Sequence, residues 1–336
     1  MTRRKMKGSS VLAALPRELR EEISGLNAGR GQVQVDADPA KRPEDEEKRP
    51  VKRRKIEVPP PSNLGKFDAT GLVPFYTDIS QVPTRLQKYY WQRERLFSRY
   101  SEGCLLDEEG WFSVTPEHIA NQIAERCRCE VIIDAFCGVG GNAIAFAKTC
   151  ERVIAIDNSP VRIALARHNA AIYGVADRIE FIQADFVSFA KALARSSSKQ
   201  RADVVFLSPP WGGIDYQSMS ASKSSLNLLA TNGDTTLNYN DEVVQEETKD
   251  EPGYSLDNLQ PLPGNELFAL ARQITPHIAF FLPRNQDLTE ISQLVPVSDA
   301  SNAEMIEVEE EWMGSKLKAL TCYFGGLVHG QEHLWT

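Results

Sequence analysis

Hydrophobic positions between residues 130 and 325 alternate between two kinds of pattern. Short apolar runs fall at 131–133, 153–156, 179–182, 202–207 and 277–282, each closed by turn or acidic residues. Runs of that length, apolar except for Glu180, Asp203 and His277, predict strands buried on both faces of a parallel sheet. Helical spacing fills 142–148, 159–173, 266–273 and 287–294. Ser159-Pro160 suits an N-cap followed by the first helical position, and Gly174 a C-terminal stop. Residues 305–312 and 318–324, around Gly314, predict a closing antiparallel hairpin. Strands and helices in alternation on short connections define an α/β, doubly wound sheet.

Ahead of this region the spacing of Leu86, Tyr89 or Tyr90, Leu96, Phe97 and Tyr100 predicts one amphipathic helix over 83–100. Lys88, Arg93 and Arg95 lie among its aromatics, as cations that snorkel from a docked helix or touch nucleic acid. Next comes Gly110-Trp111-Phe112-Ser113-Val114-Thr115-Pro116, where Thr115 and Pro116 fit an N-cap and first position, with Trp111 and Phe112 exposed before the cap. Two segments interrupt the pattern. Residues 1–62 combine charge runs with few aromatics, so they read as a disordered tail containing one short helix at 16–26. Residues 217–263, rich in Ser, Asn, Asp and Glu, read as a largely disordered insert. The resulting organisation is a tail, a helical extension at 63–126 and an α/β domain at 127–336.

Charge sharpens the division. The chain of 336 residues carries a net −8, yet residues 1–60 hold 15 Lys+Arg against 10 Asp+Glu, leaving −13 for the rest. So acidic a body is a poor binder of long duplexes. It can still grip a short, highly charged group with a few placed cations. In the tail, Lys41-Arg42 and Lys52-Arg53-Arg54-Lys55 flank an acidic spacer, a pattern that reads first as a bipartite nuclear import signal and otherwise as a solvated charged tail or a loose RNA-binding arm. No apolar run approaches the roughly 20 residues that span a bilayer, and no signal peptide opens the chain. The expectation is an intracellular protein. Its six cysteines (104, 127, 129, 137, 150, 322) lack zinc-site spacing and are expected to be reduced, with no metal bound.

The chemistry-bearing positions sit where strands end. Asp134-Ala135-Phe136-Cys137-Gly138-Val139-Gly140-Gly141 is a glycine turn into a helix, of the kind that lets backbone approach a nucleotide. The fingerprint G-x-G-x-x-G is absent, and Asp134 would repel a pyrophosphate while suiting an amino group. Asp157 ends the second strand, where it can accept ribose hydroxyls; Asp185 follows the third, where it can accept from an adenine amino group. Each alone reads more readily as a turn or cap residue; together with the glycines they point to S-adenosylmethionine. After the fourth strand comes Ser208-Pro209-Pro210-Trp211-Gly212-Gly213. Two prolines end the ladder and stiffen the turn. Its carbonyl and hydroxyl can accept from a ring amino group while Trp211 holds the ring plane. A parallel sheet closed by an antiparallel hairpin fits the class I, Rossmann-like methyltransferase fold of seven strands better than a nicotinamide dehydrogenase.

Trp111-Phe112-Ser113-Val114-Thr115-Pro116-Glu117, the Asp134–Gly141 turn with Asn142, and Val153-Ile154-Ala155-Ile156-Asp157 resemble segments of the trimethylguanosine synthases. So do Ala164-Leu165-Ala166-Arg167, Phe206-Leu207-Ser208-Pro209-Pro210-Trp211-Gly212-Gly213 and Phe281-Leu282-Pro283-Arg284-Asn285. The resemblance spans residues 85–325. It implies transfer of two methyl groups to guanine N2 of the 7-methylguanosine cap of small nuclear and nucleolar RNAs. Implied cofactor contacts are Phe97, Thr115, Asp134, Gly138, Asp157, Asp185, Ser208 and Pro209. Trp211 would stack on 7-methylguanine, with Ser113, Asn169 and Ser208 around its edge, and Lys88, Tyr216, Arg284 and Lys316 would hold the cap phosphates. Ser208, Pro209 and Trp211 form the implied catalytic set. Implied partners are capped small RNA and small ribonucleoprotein proteins, with no membrane and a monomeric chain. Implied residence is the nucleus and nucleolus with some cytoplasmic presence. The alternatives are methylation of guanine N2 in rRNA or tRNA, and cap binding without catalysis. Ile214 stands where the family carries Pro, and Asn158-Ser159-Pro160 where it carries an acid before Pro.

Overall fold

The computed structural model describes residues 64–195, 202–212, 253–295 and 304–328. The basic clusters of the tail, the helix expected at 16–26, Tyr216, and the insert up to residue 252 lie outside the described residues.

Seven strands form one sheet in the order β3-β2-β1-β4-β5-β7-β6. They are β1 (Val131–Asp134), β2 (Arg152–Asp157), β3 (Ile179–Gln183), β4 (Val204–Leu207), β5 (Ile278–Pro283), β6 (Ile306–Met313) and β7 (Lys316–Phe324). The first five run parallel, β7 is antiparallel to β5, and β6 to β7. All five apolar runs are strands, because alternate residues of each have a core to enter on either face. Ile132, Val153, Val204, Phe206 and Phe281 join one apolar cluster, and Ile133, Ile154, Val205, Leu207 and Phe280 the other. A residue that could only face solvent would break such a run.

The helices are α1 (Gln87–Tyr90), α2 (Arg93–Leu96), α3 (Gly110–Ser113), α4 (Glu117–Arg126), α5 (Gly141–Thr149), α6 (Pro160–Ile172), α7 (Phe186–Arg195), α8 (Gly264–Arg272) and α9 (Leu288–Ser292). Ser159 caps α6 as expected, its hydroxyl accepting from the Arg162 N–H, with Pro160 at the start and Gly174 at φ 71° after the end.

Four expectations are corrected. The single helix at 83–100 is broken into α1, α2 and flanking 3-10 turns, with Phe97 in extended conformation. Docking decides this, since Leu86, Tyr90, Leu96, Phe97 and Tyr100 all enter the core, and the Tyr100 hydroxyl donates to the Tyr76 carbonyl at 3.0 Å. Trp111 is only 2% exposed, ringed by Tyr76, Tyr90 and Tyr100, so it is a core residue. Thr115 does not cap α4. Pro116 occupies the cap position, and the Thr115 hydroxyl instead accepts from Asn142 Nδ2 at 3.0 Å. Finally, the end of the expected insert is packed structure. Tyr254, Leu256 and Leu259 are buried in the cluster beneath β4 and β5.

One ionic tie fixes the hairpin to the rest. Arg126, at the end of α4, is buried; it pairs with Glu307 at 2.9 Å and Glu309 at 3.1 Å, and lies 4.2 Å over the Tyr323 ring. A buried guanidinium of this kind is costly to leave unpaired. The pair therefore locks where α4 meets β6 and β7.

Candidate active site

Asp134, Asp157 and Ser208 all lie at the C-terminal edge of the parallel strands, where open α/β sheets bind ligands. Asp134 is paired in register with Ala155 on one side and Phe206 on the other, which sets it between the ends of β2 and β4. Its side chain is fully buried, and neither carboxylate oxygen has a partner in full hydrogen-bond geometry among the described residues, the Phe136 and Ala143 N–H groups being its only nearby donors. Burial raises its pKa to about 7; those two N–H groups offset only part of the rise, and Asp157 adds to it. A buried carboxylate so weakly partnered costs stability. The fold tolerates it beside a glycine turn, at the place where a ligand's ammonium would satisfy it.

The glycine turn is built for close approach. Gly138, at φ 52°, donates its N–H to Asp157 Oδ2 at 3.0 Å. Gly140, at φ 92°, lies where a Cβ would come within 3.1 Å of Ala166, so a larger residue would push the turn off α6. Asp157 Oδ1 accepts from the Ser159 N–H at 2.8 Å. Burial raises the Asp157 pKa, and the two N–H groups counter it. Each oxygen keeps a lone-pair direction for a hydroxyl donor. Asp185 is exposed and accepts from Ser188 N at 2.9 Å and Ser188 Oγ at 2.8 Å, capping α7.

Past β4 the chain turns at Ser208-Pro209-Pro210-Trp211, as the two prolines require. The Ser208 hydroxyl points its hydrogen at the Phe136 carbonyl, 3.4 Å away, tying this turn to the glycine turn and turning its lone pairs elsewhere. Trp211 is half-buried, its ring 5.3 Å from that of Phe281 and tilted by 34°. Two partners hold the turn's backbone, and both come from the segment expected to be disordered. Tyr254, 1% exposed, donates its hydroxyl to the Trp211 carbonyl at 2.9 Å, and Gln260 N–H donates to the Pro210 carbonyl at 3.3 Å. Tyr254 is itself strapped to the loop after β5: its N–H donates to Asn285 O at 2.6 Å, and its carbonyl accepts from Asp287 N–H at 3.0 Å. The sequence hid this residue inside a polar stretch. Its one signal was an aromatic followed by Leu256 and Leu259, resuming an apolar pattern before α8.

The other implied positions divide. Thr115 sits buried against the start of α5, beside the glycine turn. Ser113, at the end of α3, is exposed. Arg284 follows the end of β5 and Lys316 opens β7, its antiparallel neighbour in the sheet. Lys88 is exposed on α1, its ammonium 4.8 Å from the Tyr89 ring centre, and no described contact joins it to those cations. Two implied roles are corrected. Asn169 is fully buried, its Oδ1 accepting from Leu105 N and its Nδ2 donating to the Leu105 and Val139 carbonyls at 2.7–2.9 Å. With both amide hydrogens spent and no exposed surface, it clamps the extension to the glycine turn and is out of reach of a guanine edge. Phe97 is 2% exposed, packed 6.1 Å from Tyr173, and offers no ring surface to a ligand.

A seven-stranded sheet in this order, with a buried carboxylate before its glycine turn, defines a methyltransferase of the class I fold. The profile of a family described as RNA cap guanine-N2 methyltransferase matches residues 129–239 and 246–327. The chain belongs to that family. It is 38% identical over 248 residues to the trimethylguanosine synthase of Schizosaccharomyces pombe, covering 72% of this chain and 87% of that one. To the trimethylguanosine synthase of Saccharomyces cerevisiae it is 33% identical over 216 residues, 62% of this chain and 58% of that one. Among solved structures, an S-adenosylmethionine-dependent methyltransferase from Agrobacterium tumefaciens aligns over 63% of each chain at TM-score 0.39 and 15% identity.

Proposed function

We propose that this chain methylates guanine N2 of the 7-methylguanosine cap of small nuclear and nucleolar RNAs, using S-adenosylmethionine. Two successive transfers give the 2,2,7-trimethylguanosine cap. The observation that carries the reading is the buried, weakly partnered Asp134 carboxylate one strand from the Ser208–Trp211 turn, a group suited to an ammonium beside a turn suited to a ring amino group. Family membership and the names of both relatives support the same reading.

When bound, the cofactor supplies an electrophilic methyl group on a sulfonium. Asp134 would hold its ammonium, Asp157 its ribose hydroxyls and Asp185 its adenine amino group, with Gly138, Thr115 and the Ser208-Pro209 backbone along its length. On the acceptor side the work is positioning. The exocyclic nitrogen of guanine donates its lone pair into the ring and is a poor nucleophile. Ser208, already spending its hydrogen on Phe136, can accept an N–H and turn that lone pair out of the ring. The Trp211 face would hold the base; a cationic N7-methylated purine gains about 0.5–2 kcal/mol there. Alignment of this kind lowers the barrier without a strong base.

Incubation with S-adenosylmethionine and m7GTP, followed by mass spectrometry, should give a gain of one and then two methyl groups. Trp211→Ala should abolish that gain with cofactor affinity retained. Unchanged m7GTP alongside methylation of internal RNA guanines would overturn the cap assignment. The same reading makes the chain a monomer serving capped small RNA and its ribonucleoprotein proteins. It also places it in the nucleus and nucleolus with some cytoplasmic presence, which imaging of a fluorescent fusion checks.

A further inference from the structure

Beyond the cap-phosphate positions, the sheet edge carries cations that neither folding nor the cap reading uses. The β5–β7 ladder ends at the pair Pro283 and Ala319. One residue farther, Arg284 leaves the ladder in a turn, while Lys318 and Lys316 lie toward the facing end of β7. Arg95, on α2, lines a cavity of about 470 Å³ together with Glu94, Glu117, His118 and the β6–β7 turn residues Trp312 and Gly314; Glu94 is paired with Arg93 at 3.8 Å and Glu117 with Lys148 at 3.2 Å, which leaves Arg95 the unpaired charge there. Lys318 feels Lys316, Arg95 and Arg284, which together with burial lower its pKa. Among the described residues, none of these four cations makes an ion pair, on a chain with 46 Asp+Glu against 38 Lys+Arg. Trp312 stands 46% exposed at the cavity, an aromatic face beside the charges.

We infer that Arg95, Lys318 and Trp312 form a track for the RNA chain leaving the cap, with phosphates on the two cations and a base on the indole. The inference rests on the proposed cap methylation. From β4, where the turn holding Trp211 begins, to β6 there are three strand steps, about 14 Å at the usual strand spacing. That is far enough to pass the cap phosphates at Arg284 and Lys316 and reach the first nucleotides. Cations along a groove with an aromatic platform are how single-stranded RNA is held without sequence preference.

The test compares m7GTP with an m7G-capped oligoribonucleotide as substrates for the full chain. Arg95→Gln/Lys318→Gln should raise KM for the capped oligonucleotide roughly tenfold and flatten its salt dependence, by about 0.7 in log–log slope for each phosphate no longer neutralised. KM and kcat on m7GTP should not change. Trp312→Ala should raise the oligonucleotide KM without changing the salt slope. An equal rise on both substrates would assign these residues to the cap itself, and no rise on either would remove the track. Should the wild-type chain methylate neither substrate, the cap reading fails. The track is then read by fluorescence anisotropy with the labelled oligonucleotide, where equal affinity for wild type and double variant overturns it. Unchanged thermal melting confirms that the variants fold.

Discussion

Asp134 costs stability through its burial, and under the proposed reading that cost is set against cofactor affinity. Its folded pKa of about 7 lies above the ordinary 3.8, so the folded state holds a proton that the unfolded chain releases. Stability contributed by this group therefore falls as pH rises through that window, and the penalty is complete above about 7. Asp134→Asn keeps the shape and removes the charge. It should raise the melting temperature at pH about 8, change it little at pH about 4, and weaken cofactor binding at least tenfold. In the wild type, calorimetry should show cofactor affinity dropping as pH falls below about 7, because a protonated carboxyl no longer attracts an ammonium. An Asn variant that binds the cofactor as tightly as the wild type would remove Asp134 from the site.

Among the elements, the segment from Tyr254 to Gln260 matters most to the turn after β4. Prolines stiffen Ser208–Trp211 internally, but its tilt against the sheet depends on what grips its carbonyls. Tyr254→Phe deletes one hydroxyl and leaves the buried ring in place. We expect kcat on m7GTP to fall about tenfold, the scale of one lost hydrogen bond near 1.4 kcal/mol. Cofactor affinity and melting temperature should change far less, and a parallel loss in all three would make Tyr254 merely structural. The contrast with the strands shows what was legible in sequence. Apolar runs, Ser159-Pro160, Gly174 and the proline pair act through local rules, so each was found where expected. The strand-end aspartates were also legible, since their positions follow from the strands. Trp111, Asn169 and Phe97 misled because their partners (Tyr100, Leu105, Tyr173) are fixed by tertiary packing. Tyr254 was missed because polar composition next to it outweighed a single aromatic.

Over the whole molecule, charge is sorted by place. On an acidic body, Arg95, Arg284, Lys316 and Lys318 stand close enough to act on one another, and under the proposed reading a triphosphate and a chain of phosphates would be gripped there without drawing the protein onto nucleic acid at large. Under that reading, substrate choice would follow from where the acids are absent as much as from where the bases stand.

The acids have a second consequence at β6, the strand that ends the sheet. Four of its eight residues are Glu (307, 309, 310 and 311), two of them buried, and its pairing shifts register between Glu311 and Trp312. An open edge strand is a template for another chain, and inward charges and irregular pairing are the usual safeguards against it. This edge is guarded against self-assembly. Glu310→Val would remove the charge that separates Val308 from Trp312 and leave one apolar stripe along the open side. The fold should persist, but light scattering on gentle warming should climb with protein concentration, and scattering equal to the wild type would show that the edge needs no guard.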